Sequence, residues 1–153
     1  MTQDFMERIA DALDRMSPRP PTLPNLETGD AFLWHAEPDF FETISDVECL
    51  ALELLVGIDR ANDTLLKNTI QFAKGMPANN ALLWGARGTG KSSLVKAVHA
   101  EVILKTKSEQ LKLVEIHRED IGELPELLSL LSDYKKYKFI LLCDDLSFDA
   151  GEN

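Results

Sequence analysis

Apolar residues recur at spacings of three and four through Phe5, Ile9, Leu13 and Met16, with acids between them. That period predicts an amphipathic helix over 3–16, the body of an N-terminal segment 1–17. Residues 18–27 follow as a proline-rich linker: Pro18, Pro20, Pro21 and Pro24 fix φ and withhold backbone donors, which favours an extended spacer. Residues 28–58 are apolar and acidic, and read as a helical or irregular region in which Phe32, Trp34, Phe40 and Phe41 are packing groups. From Asp59, a fair N-cap, the period is helical again through Leu66, Ile70 and Ala73, until Gly75 and Pro77 end it.

Beyond that point the period switches back and forth. Ala81–Trp84 reads as a short buried strand and 90–107 as a helix. Leu111–Ile116 alternates as a strand, 123–133 is a helix, and Lys138–Cys143 is a fully apolar strand. Strand–helix–strand–helix–strand predicts an α/β fold with a parallel sheet and helical crossovers over 59–153.

Charge narrows the classes of partner. Residues 1–60 carry 13 acids and 4 bases, whereas 61–153 carry 13 acids and 12 bases, and the net charge is −10. A chain so acidic has no overall attraction to phosphate backbones or anionic membranes, so nucleic acid is not indicated. No apolar run reaches the roughly 18–20 residues of a membrane span. The start, Met-Thr-Gln-Asp-Phe, puts an acid where a secretion signal needs bases. Cys143 inside an apolar run reads as a small buried hydrophobe. The expected location is the cytoplasm. His35, His99 and His117 have no spacing that closes a metal site, and each reads as an ordinary helix, strand or surface histidine.

The chemistry concentrates between the first of these strands and its helix. Gly85-Ala86-Arg87-Gly88-Thr89-Gly90-Lys91-Ser92 fits the phosphate-loop pattern. Gly85, Gly88 and Gly90 permit the tight turn that brings backbone N–H groups to phosphate oxygens, and the helix N-terminus adds unsatisfied donors and partial positive charge. Lys91 would bridge the β- and γ-phosphates, and the Ser92 hydroxyl would ligate Mg²⁺. Ser93 completes the set as a helix-start residue. A glycine-rich turn with an incidental lysine is the plainer alternative, and the flanking strand and helix argue against it.

A carboxylate for the metal side lies 53 positions after Lys91, where the strand ends in Asp144-Asp145. Adjacent acids at the end of a buried strand lose solvation, a cost that a bound cation offsets. Asp144 is the candidate metal partner, and Asp145 would orient or deprotonate the attacking water.

Together, Gly85–Ser92 and Asp144-Asp145 resemble the Walker A and Walker B motifs of the additional-strand P-loop ATPases, the AAA+ group in particular. The phrases Leu82–Ala97 and Phe139–Phe148 are similar to a bacterial family within that group catalogued as domain of unknown function 815. The likeness runs from about Leu55 to the end. It implies a three-layer P-loop NTPase fold preceded by a helical N-terminal region, with ATP and Mg²⁺ as ligands and a homo-oligomer acting on an unidentified protein partner. Val56-Gly57-Ile58-Asp59 is similar to the segment beside the adenine, which makes Ile58 a nucleotide contact. Most AAA+ members carry glutamate where this chain has Asp145.

Eight residues follow Asp145. The resemblance implies at least two further strands, a sensor residue, an arginine finger and a helical lid. The chain thus reads as the amino-terminal portion of a longer ATPase, truncated after the Walker B strand, and is expected to show poor stability and little turnover by itself. In the additional-strand order a fourth strand separates Ala81–Trp84 from Lys138–Cys143. In the kinase and GTPase order those two strands are neighbours. A nucleotide-binding switch without useful turnover and a small-molecule P-loop kinase are the alternative functions.

Overall fold

The computed structural model describes residues 25–37, 40–44, 59–86 and 88–144. The N-terminal helix and residues 18–24 of the proline-rich linker expected from the sequence lie outside them, as do Cys49, Ile58, Arg87 and Asp145. The end of that linker is described, and there Leu26 is buried in the core rather than part of a solvated spacer. The architecture is α/β: a four-stranded mixed sheet, mostly parallel, with helices packed on it.

In chain order the elements are β1 (Ala31–His35), β2 (Phe40–Thr43), α1 (Asp59–Ala73), α2 (Lys91–Thr106), β3 (Leu111–Ile116), a 3₁₀ segment (Arg118–Glu123), α3 (Leu124–Ser132) and β4 (Lys138–Cys143). The sheet runs β2-β1-β3-β4. β1 pairs antiparallel with β2 and parallel with β3, Ala31 opposite Leu113 and Trp34 opposite Ile116. β3 pairs parallel with β4, from Leu111 opposite Lys138 to Ile116 opposite Cys143.

The period-2 alternation decides which side chains meet which helix. Phe32, Trp34, Val114 and Ile116 face α3, where Leu127 and Leu131 close one core together with Phe41. On the other face Leu111 joins Leu94, Val98 and Val102 of α2 and Ala73 of α1. Residues 94, 98 and 102 recur every fourth position, the stripe a helix needs to lie on a sheet. α1 ends as the sequence indicates. Gly75 N–H donates to Phe72 O and Met76 N–H to Gln71 O, the paired bonds of a Schellman cap, with Gly75 at φ +75°. Among the described residues no helix is long and apolar enough to cross a membrane.

Two further expectations are corrected. The region 28–58, read as helical or irregular, contains β1 and β2. The run Phe32-Leu33-Trp34 is fixed as a strand on both sides, by the antiparallel ladder to β2 and by the long-range parallel ladder to β3. Ala81–Trp84, read as a buried strand, forms no regular element and joins no ladder among the described residues. Only Leu83 turns inward to the α1–α2 core, while Leu82 is 70% and Trp84 89% exposed. Four apolar residues make a buried strand only when a neighbour supplies backbone partners, and the free edge of β4 is not bonded to them.

Candidate functional site

The segment after Trp84 turns through three glycines in backbone conformations that L side chains rarely adopt: Gly85 at φ +148°, Gly88 at +78° and Gly90 at +79°. A methyl group added at Gly88 would meet nothing within 4 Å, so it is the backbone angle and not lack of space that calls for glycine there. Thr89 Oγ1 donates to Ala86 O at 2.8 Å and pins the turn from inside.

α2 opens directly out of this loop. Gly90 is its N-cap, with no side-chain cap bond and no acid in the first turn, and the first helical bond runs from Leu94 N–H to Gly90 O. Gly90 thus offers the first-turn N–H groups of Lys91, Ser92 and Ser93 no capping side chain, and the helix's own first turn brings no acid to its positive end. That is the local chemistry of an anion site.

The lysine folds back over the loop. Its ammonium donates to Ala86 O at 2.8 Å and Gly85 O at 3.2 Å. One residue on, Ser92 Oγ donates to Asp144 Oδ2 at 2.5 Å. Asp144 is the first residue past β4, so this contact brings the start of α2 to the end of the strand. The structure thus gathers Gly85, Ala86, Gly88, Thr89, Gly90, Lys91, Ser92, Ser93 and Asp144 at one corner of the sheet. Arg87, Ile58 and Asp145 lie outside the described residues.

Two contacts that the sequence reading missed hold α2 in register. The Lys96 ammonium sits 2.8 Å from a carboxylate oxygen of Glu115 on β3, with both side chains largely covered. Farther along, His99 is buried and its Nε2 lies 3.3 Å from Leu111 O, to which it donates when Nε2 carries the proton. Burial holds the imidazole below its ordinary pKa, with the Leu111 carbonyl opposing that shift, so the ring is neutral at neutral pH. The available signal was spacing: 91, 95 and 99 lie four apart, which sets His99 two turns below the lysine. Burial also raises the pKa of the Cys143 thiol, which keeps it protonated beside Asp144.

Oxygen ligands from a hydroxyl and a carboxylate suit a hard divalent cation, and amides at a helix start suit phosphate. The residues present therefore fit a metal-bound polyphosphate.

A family model described as "Protein of unknown function (DUF815)" matches residues 27–153. No curated protein and no solved structure matches the chain.

Proposed function

The chain belongs to the family whose model it matches, and we propose that it binds Mg-ATP at the glycine loop, with ATP hydrolysis as the reaction of the complete protein. The observation that carries this reading is the contact between Ser92 and Asp144, which joins the two metal-side groups of a Walker pair across 52 positions. The amides of the loop and of the first α2 turn bind phosphate oxygens. The Lys91 ammonium exchanges the carbonyls of Gly85 and Ala86 for β- and γ-phosphate oxygens, a trade of neutral acceptors for charged ones. Ser92 and Asp144 hold the cation, and Arg87 and Ile58 complete the nucleotide contacts. Bound Mg-ATP supplies the transferable phosphoryl group and a cation that spreads its charge. Asp145 then orients the attacking water in line with the γ-phosphate and takes its proton.

Within this proposal the protein is an AAA+-type P-loop ATPase. The break between residues 81–84 and β4 supports the additional-strand order over the kinase and GTPase order, because the latter bonds these two segments directly. A homo-oligomer with an arginine from a neighbouring subunit, a protein partner and a cytoplasmic location complete the reading.

Calorimetric titration with Mg-ATP tests it. Lys91→Ala should weaken binding about tenfold or more, since a hydrogen bond to a charged group contributes about 1.5–3 kcal/mol. Equal affinity would overturn the assignment. One observation favours a second reading: Asp145 is one methylene shorter than the glutamate of most AAA+ members, which suits a switch that holds ATP without turnover. Asp145→Asn separates the two, because an ATPase loses turnover and keeps ATP whereas a switch changes little.

A further inference from the structure

Four residues past Ser92, on the same side of α2, Lys96 also reaches the sheet. Its ammonium meets Glu115 Oε1 at 2.8 Å, with the lysine side chain 27% and the glutamate side chain 19% exposed. Glu115 stands opposite Leu142 of β4, and Asp144 follows Leu142 by two residues, on the same face of the sheet. Two links therefore run side by side from α2 to the strands, Ser92 to Asp144 at the rim and Lys96 to Glu115 one level below. Their spacings agree. Four residues of helix rise about 6 Å, and two residues of strand rise about 6.6 Å.

An ion pair in that place needs explaining, because the apolar stripe Leu94, Val98 and Val102 already lays α2 on the sheet. Glu115 Oε1 is sealed from water and accepts no aligned hydrogen bond among the described residues. A carboxylate in that state loses solvation, and apolar residues of similar volume would serve stability as well or better. Apolar contact is non-directional, however, and leaves the position along the helix axis weakly fixed. A slip of one residue would move α2 by about 1.5 Å, enough to part the Ser92 hydroxyl from Asp144. His99 also ties α2 to β3, but it lies two turns from Ser92, whereas Lys96 lies one turn away.

We propose that Lys96 and Glu115 are a positioning pair for the divalent cation, setting the height of α2 so that the Ser92 and Asp144 oxygens meet. This assignment rests on the Mg-ATP reading above. The loop amides and Lys91 move together with α2, so phosphate keeps its contacts when the pair is lost. Asp144 belongs to the sheet and is left behind. Losing the pair therefore weakens the metal's contribution and spares metal-free nucleotide.

Calorimetric titration of the full chain with ATP, in Mg²⁺ and in a chelator, measures the gain in affinity that the metal brings. Lys96→Met/Glu115→Met removes both charges and keeps the length of the side chains. It should lower that gain about tenfold, hold the affinity for metal-free ATP within twofold of the parent's, and leave the urea midpoint at or above the parent's. Glu115→Asp keeps the charge and shortens its reach, and should lower the gain in the same direction. It decides the matter if the double variant does not fold. A parent that gains nothing from Mg²⁺ overturns the nucleotide reading and this one with it. A parent that gains, with variants that gain equally or that lose metal-free ATP in the same proportion, overturns the positioning role alone.

Discussion

Ser92 and Asp144, 52 positions apart, share a 2.5 Å hydrogen bond that joins the first turn of α2 to the end of β4. At that length the bond is charge-assisted, a hydroxyl donating to a carboxylate. A divalent cation would take both oxygens and replace one partner with another. The pair is exposed and water can take the hydroxyl's place on the carboxylate, so Ser92→Ala is expected to cost the free protein only about 0.5–1.5 kcal/mol. Its larger effect should be on metal dependence: the gain in ATP affinity on adding Mg²⁺ should fall about tenfold. Thermal shifts with ATP, in the presence of Mg²⁺ or of a chelator, measure both quantities.

His99 gives stability a pH dependence of known sign. Burial lowers its folded-state pKa below the ordinary 6.5, so the unfolded chain binds the proton more readily. The stability held by the neutral ring is fully present above about pH 6.5 and declines as pH falls from there toward the folded-state pKa, by at most about 1.4 kcal/mol per pH unit. Urea unfolding of the parent and His99→Gln between pH 7.5 and 5.5 tests this. The parent should lose more stability over that interval than the variant does.

Leu127 is fully buried where α3 meets the sheet. Leu127→Ala should destabilise the protein by about 2–5 kcal/mol through lost transfer energy and the cavity left behind. Leu104, exposed on α2, is the control, and Leu104→Ala should stay within about 0.5 kcal/mol. Denaturant midpoints distinguish the two.

The tryptophans differ in setting, Trp84 open to solvent and Trp34 buried. Acrylamide should quench Trp84 readily and Trp34 weakly, so Trp84→Phe is expected to remove most of the quenchable emission. Trp84 adjoins Gly85, and Mg-ATP binding should alter its emission in the parent while leaving that of Trp34 in Trp84→Phe unchanged.

Much of this was readable from the chain because local and long-range signals agreed. Leu111–Ile116 and Lys138–Cys143 emerge with the expected bounds, the first from its alternation and the second from its apolar run. Gly90-Lys91-Ser92 opened a helix as the spacing required. Where the reading failed, the deciding partner was remote. Lys112 looks like the solvent face of an alternating strand, but it is 3% exposed, bonded to Asp30 Oδ1 and Gly29 O from the segment leading into β1. β1 itself is a strand held between nearby β2 and remote β3, and the sequence carries no sign of the second. Ala81–Trp84 has the right residues but no strand paired to it among the described residues. The contact between Ser92 and Asp144 was expected in kind from the motif pair, whereas the folding of the Lys91 ammonium onto Ala86 O follows from three-dimensional proximity that spacing does not encode.

β4 is the last strand of its sheet, so its outer row of amides and carbonyls has no sheet partner among the described residues, and Asp144 stands at its tip. Any extended segment laid along that row would also shut water away from the carboxylate and the serine hydroxyl beside it. With less water around them, the two oxygens would attract a dication more strongly. Because binding free energies are reciprocal, the cation would in turn tighten the hold on the added segment.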